Sequence, residues 1–155
     1  MSQPLVIVDG DNVAHRRGGP PERMRDRLIS DVSTYAELTG CDVVIVFDGH
    51  GRDLLVGRVG VFHAAAEEAD TVIERLAHRS VSERAVTVVS SDTVLRNVAA
   101  RDGVDAMSAR EFSERLAAVP PQAPDAGPRQ RYQVGDAIDP LTRAALERMR
   151  RGRGA

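Results

Sequence analysis

A chain of 155 residues with 42% hydrophobic composition has the length of one domain and enough apolar residues for an ordinary core. Its net charge of -2 hides a split: residues 1–119 carry 14 Arg against 19 Asp and Glu, and residues 120–155 carry 7 Arg against 4. All 21 basic residues are Arg, which excludes any chemistry that needs a lysine, the phosphate-cradling P-loop included.

Leu5-Val6-Ile7-Val8 is a continuous apolar run that stops at Asp9-Gly10-Asp11-Asn12, the pattern of a buried parallel strand followed by a turn. From Glu22 to Leu38, Met24, Leu28, Val32, Tyr35 and Ala36 recur at helical spacing behind Pro20-Pro21, and Gly40 supplies the stop. Val43 to Phe47 repeats the first strand and ends at Asp48-Gly49. Residues 49–58 have the glycine and charge content of a loop, with a short strand expected over Val59 to Phe62. Glu67 to Arg79 places Ala69, Val72, Ile73, Leu76 and Ala77 on one helical face. Ala85 to Val89 is a strand ending in Ser90-Ser91-Asp92, and Thr93 to Arg101 a helix stopped by Asp102-Gly103. Val104 to Met107 is a final strand, and Ser108-Ala109-Arg110-Glu111 has the capping-box spacing that opens a helix through Phe112, Leu116 and Ala117.

At Pro120-Pro121 the periodicity gives way to a Pro- and Gly-containing basic tail over 120–155, with a short helix expected at 141–150. The domain is therefore expected over 1–119. Cys41 stands alone and asks for no oxidising compartment. Met1 to Pro4 carries no positive charge, and no run approaches the roughly 20 apolar residues that span a bilayer. The expected location is cytoplasmic, with no membrane partner and a monomeric state.

Strands alternating with helices, the strands apolar throughout, imply an α/β fold with a parallel sheet covered on both faces. Ligands of such sheets bind outside the carboxyl ends of the strands. Asp9, Asp48 and Asp92 each follow a strand there, Asp70 opens the helix after the next, and Asn12 shares the turn of Asp9. Each aspartate alone could be a turn former or helix N-cap. Several at one sheet edge point instead to a cation, because gathered carboxylates repel unless something positive sits among them. Oxygen ligands without clustered Cys or His favour Mg²⁺ or Mn²⁺ over Zn²⁺. The missing lysine argues against haloacid-dehalogenase phosphatases and response-regulator receivers, and no Gly-x-Gly-x-x-Gly follows the first strand.

Val6 to Val13, Val44 to Gly49, Glu67 to Glu74 and Val88 to Asp92 together resemble the NYN domain of the PIN-like nuclease superfamily, and within it the YacP-like group. The resemblance covers residues 4–118 and implies a PIN-like three-layer α/β/α fold with a mainly parallel sheet. It implies a metal-dependent endoribonuclease with Asp9, Asp48, Asp70, Asp92 and Asn12 as the catalytic set, the four aspartates holding the metal. It also implies single-stranded or messenger RNA as substrate and the ribosome as a further partner. One departure is Asp11, where that group more often has an aromatic residue. An acidic body needs local arginines to meet a polyanion, and Arg16, Arg17, Arg52 and Arg58 are expected on the active edge for that purpose. The alternatives are a catalytically inactive RNA- or ribosome-binding module on the same fold, and a phosphoesterase acting on small nucleotides.

Overall fold

The computed structural model describes residues 3–16 and 18–120. The element order is β1 (Leu5–Asp9), α1 (Gly10–His15), α2 (Pro21–Thr39), β2 (Asp42–Phe47), β3 (Leu54–Val56), β4 (Val59–His63), α3 (Ala69–Ser80), β5 (Val86–Val89), α4 (Thr93–Arg101), β6 (Asp105–Met107) and α5 (Ala109–Ala117). The strands form one sheet in the order β3-β4-β2-β1-β5-β6, parallel throughout except for the antiparallel edge pair β3 and β4.

β1 and β2 are buried along their whole length because both faces are covered, which is why neither shows polar alternation. Successive side chains leave opposite faces. Leu5 and Ile7 pack with Val72, Ile73 and Leu76 of α3 and with Leu95 of α4. Val6 and Val8 pack on the other face with Val13 of α1, with Leu28 and Val32 of α2, and with Phe112 and Leu116 of α5. The result is the expected three-layer α/β/α arrangement with a mainly parallel sheet.

Two elements were not expected. Asp9-Gly10-Asp11-Asn12 is not a simple turn, since α1 begins at Gly10 directly from β1. Gly10 is required there: a Cβ would lie 2.5 Å from the Phe47 ring and 2.8 Å from Ile45, inside any real contact. Residues 49–58 are not one loop either, because Leu54–Val56 pairs back on β4 as a hairpin, with Gly57 at φ 57° in its turn. The basic tail over 120–155 and the helix expected at 141–150 lie outside the described residues, as does Arg17.

From β1 the chain steps outward to β2 and β4, then returns across the sheet to β5 on the other side of β1. The strand order therefore reverses between β1 and β5. A crevice opens at the carboxyl ends of strands where the order reverses, and it is the place such sheets offer to ligands.

Candidate active site

The register Val8↔Val89 sets the end of β1 beside the end of β5. There the buried hydroxyl of Ser90 donates to Asp9 Oδ2 at 3.0 Å. Asp9 is 7% exposed. Burial pushes its carboxyl up to about 6, against the Ser90 and Asn12 hydrogen bonds and with the charges of Asp48 and Asp11 adding to the rise. The hydroxyl that directly follows β5 thus holds a carboxylate. The same Oγ also accepts the Asp92 N–H at 3.0 Å.

Asp48 follows β2, and its Oδ1 accepts the N–H of Ala69, the first residue of α3, at 2.9 Å. Asp70 is the next residue of that helix. Its carboxyl is also pushed up to about 6, first by burial, then by the charges of Asp9 and Asp92, a side-chain hydrogen bond with Asp92, and the charge of Asp48. These interactions make the four aspartates one electrostatic cluster drawn from the ends of β1, β2 and β5 and the start of α3. Asp92 has a second task as N-cap of α4, its Oδ1 accepting from Val94 N–H at 2.9 Å and Leu95 N–H at 3.3 Å. Cap and cluster member, treated as rivals in the sequence, coexist in one side chain.

Asn12 lies in the same crevice, where its Oδ1 accepts the Ser91 N–H at 3.0 Å and ties α1 to the turn after β5. Asp11, the departure from the family's motif, accepts from both the Asp48 N–H and Arg25. Glu67 is ion-paired with Arg75. Nothing in the sequence links positions 11, 25 and 48, so that contact could not have been found without the fold.

The arginines divide. Arg16 caps the end of α1, and Arg52 is exposed just before β3, both at the carboxyl edge of the sheet. Arg58 is a correction. It precedes β4 at the opposite edge, where it bonds Asp42 Oδ1 at 3.1 Å and the Gly40 carbonyl at 3.4 Å. The β3 hairpin carries the chain back across the sheet between residues 52 and 58, which a single loop would not have done. His63 is bound to Asp53, and His15 and His50 are exposed.

The donors suit a hard divalent cation: they are carboxylate oxygens, and among the described residues no arginine pairs with Asp9, Asp70 or Asp92. Among those residues no three His, Cys, Asp or Glu side chains converge closely enough to enclose a metal by themselves. Mg²⁺ is commonly held by one or two carboxylates, with waters and substrate oxygens completing its shell, so a closed cage is not what such chemistry asks for.

Against known families the chain matches the YacP-like NYN domain over residues 6–151. Two crystal structures of Rae1 (YacP) from Bacillus subtilis are similar to it. The W164L mutant superposes with a TM-score of 0.63 at 28% identity, over 74% of this chain and 75% of that one. The other has a TM-score of 0.61 at 25% identity, over 74% of each chain. No curated protein matches the sequence.

Proposed function

This chain belongs to the YacP-like NYN domain family, and from that premise we propose that it is a Mg²⁺- or Mn²⁺-dependent endoribonuclease that hydrolyses phosphodiester bonds in single-stranded RNA. Membership supports a nuclease-type function directed at RNA. The observation that carries the finer reading is the cluster of Asp9, Asp48, Asp70 and Asp92 at the strand-order reversal, with two of its carboxyls raised to about 6 by burial and mutual repulsion. Carboxylates in that state favour a cation over an anion, and a site built only to grip phosphate gains nothing from them.

Asp9, Asp48, Asp70 and Asp92 are the residues that would hold the metal. A divalent cation there supplies Lewis acidity toward water and toward the phosphate oxygens of the scissile bond. Ser90 fixes the Asp9 carboxylate, the α3 N-terminus fixes that of Asp48, and the α4 cap fixes that of Asp92. Asn12 holds the turn that carries Ser90 and Asp92. Arg16, Arg17 and Arg52 are proposed as phosphate contacts, and Arg58 is left out because of its edge. Action on messenger RNA at the ribosome, and contact of the 120–155 segment with RNA, belong to the same proposal.

The test is incubation of labelled RNA and DNA with Mg²⁺, Mn²⁺ or EDTA beside an Asp9→Asn variant. RNA should be cut internally with either ion, and left whole with EDTA or by the variant. RNA that stays intact with both ions would contradict the reading.

A further inference from the structure

We propose that Asp11 and Arg25 form a brace that positions Asp48, making both of them positioning residues of the acidic site. The inference rests on the reading of that site as metal-binding. Asp11 Oδ2 accepts the Asp48 N–H at 2.9 Å. Asp11 Oδ1 accepts from Arg25 Nε at 2.9 Å and lies 2.7 Å from its Nη2. That same Nη2 donates to the Asp48 carbonyl oxygen at 3.4 Å. The guanidinium is steadied by the Phe47 ring, with Cζ 4.6 Å from the ring centroid.

Both backbone polar groups of Asp48 are therefore held by one ion pair spanning α1 and α2, while its carboxylate is held by α3. The position needs such support. Asp48 lies beyond the last pair of β2, and although the carbonyls of Phe47 and Gly49 on either side accept the N–H groups of Ala64 and Ala65, the N–H and carbonyl of Asp48 itself meet Asp11 and Arg25 and, among the described residues, no ladder partner. A carboxylate at that position meets a metal reproducibly only if its backbone is fixed, as supporting hydrogen bonds fix the ligands of metal sites generally. The brace is partly exposed, so its direct contribution to stability is small and its effect falls on geometry.

Charge and geometry make opposite forecasts, which makes the brace testable in the full chain. If the pair acted only through its field, Arg25→Ala would remove a cation and tighten Mn²⁺ binding, Asp11→Ala would weaken it, and Arg25→Lys would resemble the parent. The brace predicts that all three weaken Mn²⁺ binding about tenfold or more, and that the double alanine variant is no worse than either single one. Lysine fails because it cannot make the forked contact to Asp11 and the Asp48 carbonyl at once. Amide hydrogen exchange at Asp48, measured without metal, should quicken in each variant while thermal melting shows the fold intact. Tighter Mn²⁺ binding by Arg25→Ala, or Asp48 exchange unchanged in the variants, would overturn the brace. A parent protein that binds no Mn²⁺ while its Asp48 amide still responds would instead overturn the metal-site reading.

Discussion

Asp70 and Asp9 sit in a conflict that the fold creates and that the proposed cation would relieve. Each carboxyl is raised from 3.8 to about 6, so each holds its proton more firmly folded than unfolded. Protonation therefore favours the folded state. Without metal, the cost of these charges is absent below about pH 4, grows as pH rises toward 6, and is constant above. Asp70→Asn should consequently raise the melting temperature in EDTA more at pH 7 than at pH 4; an equal effect at both would show that Asp70 carries no such penalty. Asp92 separates cap from cluster. Asparagine caps as well as aspartate, so Asp92→Asn should leave metal-free stability nearly unchanged, whereas Asp92→Ala should lower it by about 1 kcal/mol in denaturant unfolding. Both should weaken Mn²⁺ binding. The aspartate set was legible in the sequence because every member follows an unmistakable strand or opens a strongly amphipathic helix. Asp11 and Arg25 were not, since their roles consist of bonds to residue 48 that only the fold brings near.

Among the elements, the strands that sequence reasoning located best are the ones buried on both faces. β1 and β2 read as unbroken apolar runs, and α3 as a clean apolar stripe. Two short elements escaped, α1 and β3. α1 is six residues of Gly, Asp and Asn chemistry that favours turns, and it is helical because Gly10 lets it pack against Phe47 and Val13 is buried behind it. β3 is three residues whose pairing with β4 is tertiary information, and missing it put Arg58 on the wrong edge. That opposite edge has its own work. Asp42, 2% exposed, accepts from Arg84 at 2.8 Å and from Arg58 at 3.1 Å, joining the start of β2 to the segments before β4 and β5. Removing one partner of a buried pair leaves an uncompensated charge, so Asp42→Ala should cost about 3–5 kcal/mol of unfolding free energy. The Mn²⁺ affinity of the molecules that remain folded should not change. A loss of affinity alongside that of stability would mean that the two edges are not independent.

Across the whole molecule, the sheet divides its charges between its ends: a compensated ion network at the amino edge joins strands, and at the carboxyl edge lies an acidic cluster in which, among the described residues, no arginine pairs with Asp9, Asp70 or Asp92. Among the described residues no helix is long and apolar enough to cross a membrane. The central claim is that one divalent-metal site lies at the carboxyl ends of β1, β2 and β5 and the start of α3. Its most direct test is a Mn²⁺ titration followed by paramagnetic broadening of backbone amide resonances, run on the parent and on Asp9→Asn. Saturable broadening centred on Asp9, Asp48, Asp70 and Asp92, and much weaker in the variant at equal Mn²⁺, is the predicted result. Broadening centred on any other part of the surface, or undiminished by Asp9→Asn, would contradict it.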